Sequence, residues 1–108
     1  MTQPDDRRGE RRRPAGARGV VIAPGLEMAC LIVDASGGGM RIRLDRALAL
    51  PASVLLIDIA GGVVHDAEVA WRKGAEAGLK LRARSGLRGL TPSRLGGARD
   101  AWLRAGGR

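Results

Sequence analysis

The sequence predicts an all-β fold, a small antiparallel barrel or sandwich built from six short strands. Two observations support this prediction. Residues 40–44 alternate strictly between apolar and basic side chains, which is typical of a strand with one buried face. Glycine-rich turns separate this stretch from the other short apolar runs, and helical spacing of apolar residues occurs only near the C-terminal end.

The predicted strands follow one another closely along residues 18–81. The second strand has a nearly continuous apolar middle, which indicates burial on both faces or a place in a barrel wall. The fifth is the longest, and period-two alternation puts Val69 and Trp71 on the same face. We predict that Trp71 and Trp102 both pack in the interior or against a helix. The six predicted strands are residues 18–23, 27–34, 39–44, 53–59, 63–72 and 77–81.

The chain changes character after residue 81. Residues 82–90 are basic and indicate a loop. Thr91 then predicts a helix N-cap, with Pro92 in the first turn. Apolar residues at helical spacing from Leu95 to Trp102 would let this helix cover an open end of the barrel. The predicted organisation is an N-terminal arm (1–17), a barrel (18–82), and a basic linker with a C-terminal helix and tail (83–108).

The composition indicates one small domain with a strongly basic surface. The chain has 108 residues, and 19 basic against 11 acidic residues give a formal net charge of +8. All basic residues except Lys73 and Lys80 are arginines, whose forked donors fit phosphate oxygens and guanine edges. An anionic partner is therefore favoured, although a GC-rich genome would also raise the arginine total.

Cys30 is the only cysteine, so the chain can form no internal disulfide, which fits a reducing compartment. The N-terminal residues are strongly polar and do not resemble a secretion signal. No apolar run approaches the roughly 20 residues that span a bilayer. We expect a cytoplasmic protein that does not insert into a membrane.

The arm, residues 1–17, has almost no apolar content, so we expect it to be flexible on its own. Arg7 and Arg11 are four residues apart, and so are Arg8 and Arg12. Either pair would be able to hold two sides of one anion. A purely solvated leader is the alternative.

The stretch Asp34-Ala35-Ser36-Gly37-Gly38-Gly39 predicts a tight reversal between two strands. It cannot lie inside a helix, because each glycine costs about 1 kcal/mol there. Such a turn exposes backbone N–H groups together with two short side-chain oxygens, from Asp34 and Ser36. It therefore predicts a cradle for an anion or a nucleobase.

An Arg-x-x-x-Arg arm followed by an Asp-x-Ser-x-x-Gly turn resembles the PilZ domain family. Residues 7–11 or 8–12 match the first motif and residues 34–39 match the second. Residues 67–72 and 77–81 are also similar to the closing strands of such domains. The resemblance implies a six-stranded antiparallel PilZ-like β-barrel that binds cyclic diguanylate.

The resemblance also implies residue roles. The arm arginines would contact phosphates and guanine edges or stack on a base. Asp34 and Ser36 would hydrogen-bond guanine or orient the arm, while Gly39 would let the backbone turn. The arm would become ordered on the ligand and present a surface to a downstream protein partner. The implied ligand-binding residues are Arg7, Arg8, Arg11, Arg12, Asp34, Ser36 and Gly39.

Two other binding functions remain open. One is a PilZ-like adaptor that no longer binds ligand. The other is a small basic nucleic-acid-binding barrel, which the net charge favours but the scarcity of aromatic residues disfavours.

An enzyme is the least favoured class. His65, the only histidine, precedes Asp66, and successive strand residues point to opposite faces. Ser36 has no evident base to activate it. One cysteine and one histidine cannot form the usual zinc site. We therefore predict no catalytic residue, no metal and no cofactor.

Overall fold

The computed structural model of the protein describes residues 17–108, apart from the side chain of Ser36. Six antiparallel strands close into a barrel in the order β1-β2-β3-β6-β5-β4, which confirms the predicted fold class. The arm, except for Ala17, lies outside the described residues. The elements are β1 (Ala17–Ala23), β2 (Leu26–Ser36), β3 (Gly39–Leu44), β4 (Ser53–Asp58), β5 (Val63–Lys73), β6 (Glu76–Gly86) and the helix α1 (Gly96–Arg104).

The barrel interior is filled by aliphatic and sulfur-containing side chains. In β3, Met40, Ile42 and Leu44 are buried while Arg41 and Arg43 are exposed, so the predicted alternation is confirmed. Inward side chains from the other strands complete the interior. The interior cluster consists of Val21, Met28, Cys30, Ile32, Ala35, Met40, Ile42, Leu44, Val54, Leu56, Ala67, Ala77 and Leu79.

The helix α1 packs against the outer faces of β1 and β4, which we call the covered wall. These strands are apolar on both faces: Val20 and Ile57 point outward, whereas Val21 points into the interior cluster. Trp102 of α1 is 2% exposed, and its indole Nε1 donates a hydrogen bond to the carbonyl of Ile59 at 2.9 Å. The prediction that the helix closes an open end was wrong, because the outward apolar residues of the wall must themselves be buried.

The helix also begins later than the sequence predicted. Pro92 is extended, with φ −53° and ψ 142°, and a short 3₁₀ turn at Ser93–Leu95 leads into α1 at Gly96. The hydroxyl of Thr91 donates at 3.5 Å to the carbonyl of Gly89. Thr91 therefore belongs to the preceding turn and does not cap the helix. The predicted spacing of the buried residues from Leu95 to Trp102 is confirmed.

Strand β6 extends to Gly86, so the prediction of a loop from residue 82 was wrong. Residues Ala83–Gly86 pair with β5, where Arg84 lies opposite His65. These residues are mostly exposed and therefore carry no apolar signal in the sequence. Their place in the sheet follows from backbone pairing, which the composition of the segment does not reveal.

Arg88 fastens the C-terminal segment to the β4–β5 turn. Its guanidinium donates to the carbonyls of Ala60 at 3.1 Å, Gly61 at 3.0 Å and Arg108 at 2.8 Å. It also lies 5.5 Å from the ring centroid of Trp102, a cation–π distance. Between residues 17 and 108 no helix is both long enough and apolar enough to cross a membrane.

Candidate functional site

A groove of about 240 Å³ opens on the outer surface of β2, β3, β6 and β5, beside the glycine-rich turn. Strand pairing places Asp34 opposite Arg41, Arg41 opposite Gly78, and Gly78 opposite Trp71. These four residues, which we call the outer row, therefore lie side by side across four strands. The groove is also lined by Gly39, Met40, Ala70 and Leu79.

A β-bulge turns Asp34 toward the groove. Ile32 pairs with Ile42 and Asp34 pairs with Arg41, so Val33 is an extra residue in β2. Without that extra residue, period two would place Asp34 on the same inner face as Ile32. The bulge shifts the alternation, so that Ala35 enters the interior cluster and Asp34 faces outward with Arg41.

A second β-bulge does the same for Trp71. Val69 pairs with Leu79 and Trp71 pairs with Gly78, so Ala70 is the extra residue in β5. Val69 packs against the interior cluster, whereas Trp71 is 44% exposed. The prediction that Trp71 is an interior residue was wrong, because strict alternation from Val69 does not continue through the bulge.

Gly78 provides the surface on which the indole of Trp71 lies. A Cβ atom built on Gly78 would stand 2.0 Å from Nε1 of Trp71, far inside van der Waals contact. Any side chain at position 78 would therefore displace the indole. The glycine, which itself pairs with Arg41, keeps the flat face of the Trp71 indole within the groove.

The turn itself depends on its glycines. Gly37 adopts φ +55°, a left-handed conformation that favours glycine. A Cβ on Gly39 would lie 3.3 Å from the carbonyl oxygen of Leu79, tighter than an ordinary contact. The predicted reversal between β2 and β3 is present, with Ser36 paired with Gly39.

The arm joins the barrel close to the groove. Ala17, at the start of β1, pairs with Ile32, two residues before Asp34. The segment that carries Arg7, Arg8, Arg11 and Arg12 is therefore attached beside the outer row. Those four arginines lie outside the described residues.

In a comparison with protein families, the family described as PilZ domain aligns with residues 6–91. The chain belongs to the PilZ domain family. PilZ domains are generally modules that bind cyclic diguanylate, and they are binding or effector modules rather than enzymes. Comparison with curated proteins and with solved structures gave no significant match.

In this PilZ domain, Glu76 at the start of β6 pairs with two arginines of β3. Arg43 donates from Nε at 3.2 Å and from Nη2 at 2.9 Å, both to Oε2 of Glu76. Arg41 approaches Oε1 with Nη1 at 3.6 Å. The hydrogen bond from Arg43, followed by the nearby positive charges, lowers the pKa of Glu76 below its usual value. Glu76 therefore stays ionised beside the groove.

The predicted site residues divide into two groups. Asp34 and Gly39 line the groove, and Ser36 ends β2 at its edge, while the arm arginines lie outside the described residues. Sequence reasoning missed Trp71 and Gly78. The signal in the sequence is a tryptophan and a glycine on either side of the β5–β6 turn, at positions that face each other across the two strands.

In the part of the chain that the structure describes, neither His65 nor a group of metal ligands lies at the groove. His65 is buried and the next residue, Asp66, lies on the opposite face, so they form no dyad. Within residues 17–108, no three His, Cys, Asp or Glu side chains are grouped to hold a metal ion. A larger depression of about 500 Å³ lies between β1, β4 and β5 and contains none of the predicted site residues.

Proposed function

We propose that this PilZ domain is a receptor for cyclic diguanylate, which binds in the groove of the outer row and is closed over by the arm. The observation that supports the proposal best is the row itself. It places a carboxylate on β2, a guanidinium on β3 and, across Gly78 of β6, an exposed indole on β5, next to the attachment point of the arginine-rich arm.

The chemistry of the row matches the chemistry of the ligand. Cyclic diguanylate carries two phosphate charges and two guanines. Arg41 is able to donate to a phosphate or to the N7 and O6 acceptors of guanine. Asp34 is able to accept from the N1–H and N2–H₂ edge of guanine. Trp71 offers a face for base stacking, which contributes about 1–3 kcal/mol per base.

The reach of the arm is sufficient for its proposed role. Adjacent strands are about 4.8 Å apart, so the outer row begins one gap, about 5 Å, from β1 and ends four gaps, about 19 Å, from it. Arg12 lies five residues before Ala17, and an extended chain of that length reaches about 17 Å. Both registers, Arg7 with Arg11 and Arg8 with Arg12, can therefore reach a ligand in the groove.

We further propose that ligand binding fixes the arm over the groove and so creates a new surface for a downstream protein partner. Ser36 would complete the ligand contacts from the edge of the turn. A change in the order of one segment is a common switching device in regulatory proteins. Binding of the partner should then require ligand, which separates this proposal from a ligand-independent adaptor.

The test is isothermal titration calorimetry with cyclic diguanylate. Arg11→Ala should weaken binding by at least about 1 kcal/mol, the low end for hydrogen bonds to charged groups. Arg99→Ala, which removes an arginine from α1 on the covered wall, serves as the matched control and should leave affinity unchanged. No heat for the wild type at tens of micromolar ligand would reject the proposed function.

Single-stranded nucleic acid is the second candidate, and the exposure of Trp71 supports it. An aromatic platform on a chain of net charge +8 is the combination that sequence-independent single-strand binders use. Salt-sensitive binding of random oligonucleotides that excess cyclic diguanylate does not displace would favour this function instead.

A further inference from the structure

We propose that Glu76 is an internal competitor for Arg41, and that Arg43 is a positioning residue that keeps Glu76 away from Arg41. The inference rests on the proposed function, because it concerns how readily Arg41 engages an anionic ligand. It assigns roles to two residues, Glu76 and Arg43, that belong to neither of the family motifs.

The geometry places the three groups within reach of one another. Strand pairing sets Glu76 directly opposite Arg43 and two pairs away from Arg41, which pairs with Gly78. Arg41 and Arg43 point outward on the same face of β3. The carboxylate of Glu76 therefore lies between Arg41 and Arg43, where it is able to form an ion pair with either guanidinium.

The two contacts are unequal. Arg43 holds Oε2 of Glu76 with two donors, at 2.9 and 3.2 Å. Arg41 has a single approach of 3.6 Å to Oε1, beyond hydrogen-bond distance. Glu76 is thus committed to Arg43, and the donors of Arg41 stay available to the groove that this residue lines.

Two opposing effects on affinity follow from this arrangement. Glu76 places a negative charge beside the site of a dianionic ligand and offers Arg41 an alternative partner, so it weakens binding. Arg43 neutralises that charge and holds the carboxylate, so it strengthens binding without touching the ligand. If Arg43 is removed, Glu76 is free to form its hydrogen bonds with Arg41 instead.

The experiment is a double-substitution cycle measured by calorimetry with cyclic diguanylate. Glu76→Gln should tighten binding about two- to fivefold, the range expected for an exposed ion pair. Arg43→Ala should weaken binding several-fold in the wild type. The same substitution in the Glu76→Gln background should change affinity by less than about 1.5-fold, because the competitor is already neutral.

The matched control is Glu27→Gln. Glu27 forms a similar exposed ion pair with Arg104, at 2.6 Å, near the opposite end of β2 from Asp34. Its removal changes the net charge by the same amount and should leave affinity unchanged. If Glu27→Gln and Glu76→Gln increase the affinity equally, the effect comes from net charge alone and the inference is overturned. A full Arg43→Ala loss that persists in the Glu76→Gln background would show direct contact with the ligand and would also overturn it.

A ligand-free measurement separates this inference from the proposed function. In NMR spectra of the free protein, Arg43→Ala should shift the Nε–Hε signal of Arg41 and reduce its mobility, and adding Glu76→Gln should reverse both changes. If the wild type fails to bind cyclic diguanylate while these changes appear, the proposed function fails and the competition stands. If the wild type binds but Arg41 does not respond, the competition is rejected.

Discussion

The two walls of this barrel differ in how regularly their strands are paired. In the covered wall, β1 pairs with β4 from Gly19 to Ile22 without a shift of register. In the wall that carries the outer row, the pairing shifts at Val33, between Asp66 and Ala67, and again at Ala70. Regular alternation persists where both faces are packed, whereas extra residues occur where a side chain must be turned outward.

The two tryptophans lie on different walls and differ in exposure. Trp102 is enclosed by the covered wall and by Arg88, whereas Trp71 is half exposed and lines the same groove as Arg41. Trp102 should contribute mainly to stability, and Trp71 should contribute mainly to ligand binding. The following experiments test that separation, beginning with the largest expected effect.

Trp102→Ala should lower the free energy of unfolding by about 3–5 kcal/mol, the usual range for truncating a buried tryptophan. The substitution leaves a cavity beneath the helix and removes the donor to the carbonyl of Ile59. Urea denaturation followed by circular dichroism measures the change. A loss below about 1 kcal/mol, the scale of an ordinary surface substitution, would show that α1 does not stabilise the wall.

Asp34→Asn should weaken cyclic diguanylate binding by about 1.5–3 kcal/mol, because a charged acceptor is replaced by a neutral amide. The side chain keeps its shape, so the urea midpoint should change little. Calorimetry on the folded variant gives the affinity. Unchanged affinity together with an unchanged midpoint would remove Asp34 from the site.

Trp71→Ala should weaken binding by about 1–3 kcal/mol, the value of one stacked base. Its effect on stability should be much smaller than that of Trp102→Ala, because the side chain is already half exposed. Gly78→Ala tests the same feature without removing the indole, since the added Cβ must push Trp71 aside. If Trp71→Ala destabilises the fold as strongly as Trp102→Ala, the contrast between the walls is lost.

Cys30 should give the smallest effect, since it faces the interior that both walls share. Burial, followed by the nearby charge of Asp45, raises the pKa of its thiol from 9.0 to about 12. The thiol should therefore react very slowly with Ellman's reagent at pH 8 until the protein unfolds. The pKa of this thiol is higher in the folded protein than in the unfolded chain. The stability contributed by the protonated thiol is therefore fully present below pH 9 and is lost as the pH rises toward 12. Rapid labelling of the native protein would contradict the buried position.

The sequence was sufficient for the barrel and for half of the candidate site. The alternation of Met40, Ile42 and Leu44 predicted β3 correctly, because that strand contains no bulge of its own. Asp34 and Gly39, which line the groove, were predicted from turn chemistry, which is local. The outward direction of Trp71 was missed, since a bulge is defined by pairing with another strand and leaves no period of its own in the sequence.

The position of α1 was missed for a related reason. Spacing identified its apolar stripe correctly, but the surface it packs against depends on which strand is apolar on both faces. The consecutive run of Val20, Val21 and Ile22 carries that information, because successive residues cannot all point inward. Read in this way, the run predicts an outer layer over β1.

The covered wall has a practical consequence for anyone shortening the gene. A fragment cut at residue 91, where the family alignment stops, would retain every strand but discard the helix with Trp102. The outside of an otherwise intact barrel would then carry a contiguous exposed apolar patch formed by Val20, Ile57, Ile59 and Val64. Such a truncated product should aggregate during expression, and the smallest well-behaved fragment must extend through Ala105.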